Sequence, residues 1–223
     1  LAPTEVWVAG GVYTPTGFGE GRSRAFHVRG DTTLLGGFAG DEESADQRDP
    51  VANPTILSGD FNQDDTDGGT NEENALHVVI GPRFGEHAIL DGFVVERGNA
   101  NQVDDGLLTV YQTGLGVWPD ATGGGVLSVA GEMTLRDCVI RDHFAGRGGA
   151  AVHVGPCALW ESANIEVARL ALERCSVQDN TAAFPFATPG ASGIYGVCRT
   201  DIRVGSCLFT DNRIGSAIVT SGR

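Results

Sequence analysis

Leu135-Arg136-Asp137-Cys138-Val139-Ile140-Arg141-Asp142-His143 decides the fold, because the chain repeats it. Leu172-Glu173-Arg174-Cys175-Ser176-Val177-Gln178-Asp179-Asn180 follows the same pattern, and so does Val204-Gly205-Ser206-Cys207-Leu208-Phe209-Thr210-Asp211-Asn212. A looser copy is Ile89-Leu90-Asp91-Gly92-Phe93-Val94-Val95-Glu96-Arg97, which aligns Gly92 with the cysteines. A second template of three small residues and an apolar one alternates with the first. Its copies are Gly123-Gly124-Gly125-Val126, Gly149-Ala150-Ala151-Val152, Ala191-Ser192-Gly193-Ile194 and Gly215-Ser216-Ala217-Ile218. The three cysteine copies lie 37 and 32 residues apart. A period of that size means a solenoid or a propeller. Each unit holds two or three short strands and no helix, so the pattern predicts an all-β solenoid in a single domain, residues 1–223.

In such a solenoid, equivalent positions of successive turns stack about 4.8 Å apart. Cys138, Cys175 and Cys207 then form an inward ladder of small apolar groups. Asp142, Asp179 and Asp211 share one column, and Asn180 and Asn212 share the next. Stacked Asn side chains hydrogen-bond from turn to turn and tolerate left-handed backbone. Strands are expected at Thr4 to Val8, Thr32 to Leu35, Thr55 to Leu57, Ala75 to Ile80 and Ala88 to Val95, with Gly, Asn and Asp clusters between them. Asp41 to Gln47 is the place for one helical turn before Pro50, and Glu161 to Leu172 mixes both periods.

Composition narrows the function. Of 223 residues, 33 are Gly and 41% are hydrophobic, which excludes a disordered chain. There is no Gly-X-Y period and no apolar run long enough for a membrane helix. The formal net charge is −14 and all 15 basic residues are Arg. A chain this acidic repels phosphates, so it is a poor partner for nucleic acid or anionic lipid; no nucleic acid is expected, and cations are the natural small ligands. No Cys-x-x-Cys pair, His i,i+4 pair, dinucleotide loop or Gly-x-Ser-x-Gly elbow is present. Cys157 and Cys198 each follow a small-residue strand by a few positions; they are expected to form a disulfide or to be two buried thiols. The chain opens on Leu1, as expected of a piece of a longer protein.

These stretches resemble bacterial secreted and surface proteins of the right-handed parallel β-helix, the pectate-lyase-like superfold. The likeness rests on Glu5-Val6-Trp7-Val8-Ala9-Gly10-Gly11-Val12-Tyr13-Thr14-Pro15, on Leu35-Gly36-Gly37-Phe38-Ala39-Gly40 with Asp46-Gln47-Arg48-Asp49, and on Thr55-Ile56-Leu57-Ser58-Gly59-Asp60. Gly148-Gly149-Ala150 and Phe209-Thr210-Asp211-Asn212 are similar to the repeats of polymorphic outer-membrane proteins. The resemblance implies a right-handed single-stranded β-helix, an extracellular or cell-surface location, and other domains of the same or a neighbouring chain as partners. It says little about activity, because the fold hosts lyases, hydrolases, adhesins and spacers.

Asp60 to Asn74 is the most chemical stretch. Hard cations such as Ca²⁺ take six to eight oxygens, and Asp60, Asn62, Asp64, Asp65 and Asp67 are the candidate ligands, with Gly68 for a sharp turn. The pattern is not an EF-hand, and the alternative is a solvated acidic loop. Lyases of this superfold use an Arg or Lys base beside bound calcium. No Lys exists here, and no Arg is flanked by the acidic cluster such a base is expected to have. Asp104-Asp105 is an Asp pair without the Gly-His-Gly that related hydrolases carry. Trp118 and Tyr111, in the insertion Asn99 to Thr122, and Trp160, after Cys157, are candidate ligand contacts; Trp7 and Tyr195 are further aromatics for glycan stacking. His143 and His153 are expected at turns or on the surface. Two functions follow: a non-enzymatic module for adhesion, spacing or assembly, or a calcium-dependent lyase or glycoside hydrolase acting on an acidic glycan.

Overall fold

The computed structural model describes residues 4–15, 21–65, 69–82, 85–101, 121–128, 131–155, 167–183, 191–197, 199–213 and 216–221. Among these, the only helical element is a 3-10 turn at Ala45–Gln47; everything else regular is strand. The strands come in six successive groups. The first is β1 (Thr4–Ala9), β2 (Gly11–Tyr13) and β3 (Phe26–His27), and the second is β4 (Thr32–Phe38), β5 (Thr55–Ser58) and β6 (Val79–Ile80). The third is β7 (His87–Asp91), β8 (Phe93–Glu96), β9 (Asn99–Ala100) and β10 (Val126–Ser128). The fourth is β11 (Glu132–Arg136), β12 (Val139–Arg141), β13 (Phe144–Ala145) and β14 (Val152–Val154). The fifth is β15 (Ala168–Glu173), β16 (Ser176–Gln178), β17 (Thr181–Ala182) and β18 (Ala191–Val197), and the sixth is β19 (Thr200–Gly205), β20 (Leu208–Thr210) and β21 (Ser216–Ser221).

Each group contributes one strand to each of three six-stranded parallel sheets. Their orders are β1-β4-β7-β11-β15-β19, β2-β5-β8-β12-β16-β20 and β3-β6-β10-β14-β18-β21; β9, β13 and β17 make a short fourth sheet. Each strand inside a sheet thus pairs with its equivalents one turn earlier and one turn later, which fits a parallel β-helix. The core lies between the sheets. Val6, Leu34, Leu90, Leu135, Leu172 and Val204 form one register column, and its middle members are almost fully buried. Among the described residues no helix is long and apolar enough to cross a membrane.

The thiol ladder is present. The pairing Val94↔Val139, Val139↔Ser176 and Ser176↔Leu208 places Phe93, Cys138, Cys175 and Cys207 in one column. Cys138 and Cys175 are free and buried, with Sγ atoms donating to Leu90 O at 3.4 Å and Leu135 O at 3.3 Å; Cys207 is half-buried. The looser early copy is corrected by one residue: Phe93, not Gly92, stands in the cysteine column. A slip of one residue turns every side chain to the opposite face, so burying Leu90 and Phe93 fixes the register. Gly92 instead has φ 78° and forms a left-handed corner, which splits the single strand expected over Ala88 to Val95 into β7 and β8.

The next corner divides two roles that the sequence assigns together to Asn. Arg97, Asp142, Asp179 and Asp211 carry the left-handed backbone, at φ between 52° and 61°. The residues that follow turn inward and hydrogen-bond along the stack. Asn180 Oδ1 accepts from His143 N at 3.1 Å and Asn212 Oδ1 from Asn180 N at 3.2 Å, while Asn180 Nδ2 donates to Ile140 O and Asn212 Nδ2 to Val177 O. His143 does the same with its ring: Nδ1 accepts from Gly98 N at 2.9 Å, so Nε2 carries the proton and donates to Val95 O at 3.0 Å. His143 is therefore an interior residue. His153 is interior too, 2% exposed and tilted on Tyr195, although strand alternation turns it away from Val152 and Val154.

The small-residue template has a steric cause. A Cβ on Gly124 would come within 2.4 Å of Phe144 O, and one on Gly125 within 2.5 Å of Ala151 O. Here the chain of one turn passes directly against the backbone of the next, and Ala100, Ala145 and Ala150 fill what little space remains.

Candidate metal centre

Asp60 stands where the inward ladder residue of the second turn belongs. Counting on from the register column Ser58, Glu96, Arg141, Gln178 and Thr210, it falls beside His143, Asn180 and Asn212. The chain then leaves the stack and resumes at Ala75, whose N–H donates to Gly59 O and whose carbonyl accepts from Asn99 N. Residues 61–74 are therefore an insertion, hung from one corner of the second turn.

Four carboxylates converge at its root. Asp60, Asp64, Asp65 and Glu73 each offer an oxygen within 4.8 Å of the others. Asp60 is fully buried. Its carboxylate accepts from the Asp64 and Asp65 backbone N–H groups, at 3.3 Å each, and from Arg97 Nη1 at 3.1 Å. Asn74 Nδ2 bridges Asp65 Oδ2 at 2.8 Å and Arg97 O at 2.9 Å. Gly69 N–H donates to Asp64 O, and a side chain on Gly69 would collide with the Asp64 carboxylate. So the insertion is closed on itself and fastened to the third turn by Arg97 and Asn74.

Arg97 pairs with the cluster through Asp60 and also lies 3.7 Å from Glu96. Burial, reinforced by neighbouring carboxylates, pushes Asp65 and Glu73 above the usual carboxylate range. Two oxygens of the cluster, Asp64 Oδ1 and Glu73 Oε1, are screened from water and have no hydrogen-bond partner among the described residues, as is the case for Asn74 Oδ1. Buried anionic oxygens without donors are costly unless a cation meets them. The set is all oxygen, which suits a hard divalent ion rather than a soft one.

The sequence identified three of the four carboxylates. Glu73 was within the acidic stretch but not among the expected ligands, since it approaches only when the insertion folds back. Asn62 is exposed, and Asp67 lies outside the described residues. Arg97 was also missed: it is 37 residues from Asp60 in sequence and joins the cluster through the stacking of turns. Cys157, Cys198, Trp118, Tyr111 and Trp160 lie outside the described residues. Trp7 is exposed and stacks on Phe38, with ring centroids 4.7 Å apart. Family models, curated proteins and solved structures yield no match to this chain.

Proposed function

We propose that the chain is a non-enzymatic, right-handed β-helix module of a secreted or cell-surface protein, used for adhesion, spacing or assembly, and that it carries one calcium ion. The observation behind this reading is the way the acidic cluster is tied up. Asp60 is fully buried and engaged by Arg97 and two backbone N–H groups, and Asn74 locks Asp65 to the third turn. Groups held in that manner fasten an insertion to a stack; they do not face a substrate. A calcium ion would supply the missing positive charge and satisfy Asp64 Oδ1 and Glu73 Oε1. Calcium fits better than Mg²⁺, which keeps much of its water and demands near-octahedral geometry.

Two measurements test the reading. Calorimetric titration of calcium is expected to give one site per chain, weakened at least about tenfold in Glu73→Gln, because removing a charged ligand removes a strong oxygen donor. Incubation with acidic polysaccharides and calcium is expected to release neither unsaturated nor reducing sugars. The second reading, a calcium-dependent lyase or hydrolase acting on an acidic glycan, is favoured by one observation, the Arg97 guanidinium 3.1 Å from Asp60. Sugar release that disappears in Arg97→Ala would establish it and end the first.

A further inference from the structure

Around the insertion of the second turn, the buried side-chain atoms without a partner are all acceptors. Among the described residues they are Asp64 Oδ1, Glu73 Oε1, Asn74 Oδ1 and Asn99 Oδ1, the last on a side chain whose Nδ2 donates to Asn71 O at 2.6 Å. What the place lacks is positive charge, not acceptors. Asn74 is 1% exposed, and both hydrogens of its Nδ2 are committed, to Asp65 Oδ2 at 2.8 Å and to Arg97 O at 2.9 Å. Those two bonds fix the amide, because turning it over would set Oδ1 against two acceptors. The amide oxygen therefore sits beside the Asp65 carboxylate with no donor to meet it.

The charges point the same way. Asp60, Asp64, Asp65 and Glu73 carry four negative charges when ionised, and Arg97 brings one positive, which leaves three. Glu96, the other acid beside Arg97, is held separately by Arg141 at 2.6 Å. The charges that act most strongly on Glu73 are those of Asp64, Asp65 and Asp60, all of one sign. A calcium ion leaves one of the three negative charges unmatched, next to the fully buried Asp60. A buried charge without its counterpart is costly.

We infer that the acidic centre selects a trivalent hard cation of about calcium's size, a lanthanide ion, over calcium itself, with Asn74 Oδ1 as a fifth protein oxygen. This rests on the reading above that the cluster holds a cation. Lanthanide ions are close to calcium in size, are as hard, and carry one more positive charge, so the same oxygen set serves them. The attraction gained from the extra charge scales with the net charge of the site, whereas the cost of removing water belongs to the ion. Carboxylates already gathered within 4.8 Å of one another favour the ion of higher charge.

Titration of the full chain with terbium(III), followed by its luminescence, with calcium as competitor, tests the inference. One tight site is expected, holding terbium at least about a hundredfold more tightly than calcium. Glu73→Gln, which removes one negative charge, should lower that preference about tenfold. Arg97→Asn removes the positive charge and suits the left-handed backbone there, at φ 61°, so it should raise the preference about as much. Circular dichroism checks the fold of each variant, and because the two act in opposite directions, either alone still tests the charge dependence. Luminescence lifetimes in H2O and D2O count the waters on bound terbium; Asn74→Ala should add one, and an unchanged count would strike Asn74 from the ligands. Calcium held as tightly as terbium, or a preference that ignores the charge of the variants, would overturn the selectivity and leave the calcium reading standing. Tight terbium binding without calcium binding would uphold the inference and end the calcium reading. Binding of neither ion would end both.

Discussion

At the residue scale, His143 is a histidine doing the work of an asparagine. Its Nδ1 takes the place of an amide oxygen and its Nε2–H that of an amide N–H, with Gly98 N and Val95 O as partners. His143→Asn should therefore be tolerated, at a cost of about 1 kcal/mol or less, because the same two bonds can be made. His143→Ala should cost about 2–4 kcal/mol, from a buried donor and acceptor left unpaired and a cavity in their place. Urea unfolding of the two variants distinguishes them. His143, His77 and His153 are all buried, and burial lowers their pKa values from 6.5 to about 3, about 4 and about 4. Above pH 6.5 they are neutral folded or unfolded, and they add no pH dependence. Below it the unfolded chain takes up protons that the folded chain refuses, so stability falls as pH drops toward 3–4. Each imidazole adds up to about 1.4 kcal/mol per pH unit in that window. Urea midpoints at pH 7 and pH 5 should differ, and less so in His143→Asn.

At the scale of elements, the turns are joined by ladders of alternating charge. Arg48 reaches Asp91 at 2.5 Å and also donates to Gly36 O and Asp91 O; Arg136 lies between Asp91 and Glu173 at 3.6 and 2.9 Å. Arg174 pairs with Asp137 through two bonds of 2.7 Å on the exposed side. The two ladders should differ in weight. Asp91 is buried, so Asp91→Ala should cost about 2–4 kcal/mol by stranding Arg48. Asp137→Asn removes an exposed pair while keeping a side chain that suits the left-handed backbone there, and should cost far less. Equal losses would mean that burial does not set the strength of these ladders. The proposed calcium site would add a second pH effect. Asp65 and Glu73 hold their protons more strongly than usual, and a bound cation must displace them. Calcium affinity should therefore weaken as pH falls toward 5, as titrations at pH 7 and pH 5 would register.

At the scale of the whole molecule, what the sequence revealed depended on how often a feature recurs. Cys138, Cys175 and Cys207 repeat with their flanks, so their column and its inward face were legible. The Gly92 copy was misplaced because a single degenerate repeat lacks the cysteine that marks register, and packing of Leu90 and Phe93 decided it instead. His143 and His153 read as surface residues because local alternation carries no information about what covers a face. The same limit hid two of the five charged residues of the candidate metal centre. Asp60, Asp64 and Asp65 are near in sequence and were visible, but Arg97 enters only through stacking, and Glu73 only through closure of the insertion. The repeated columns of apolar residues explain why a chain of short strands holds together: the sheets share one core, and each turn is stabilised by the turns above and below it. The calcium ion proposed above would tie the second turn to the third at one corner, and in a cooperative stack that gain would be shared.

Thermal unfolding of the chain in calcium and in chelator tests that account most directly. At calcium well above its dissociation constant the midpoint should rise by about 5–10 °C over the chelated sample, as a ligand bound at about a hundred times that constant stabilises by about 2.7 kcal/mol. Glu73→Gln should show almost none of this rise. Identical midpoints in calcium and chelator, or an equal rise in Glu73→Gln, would contradict it.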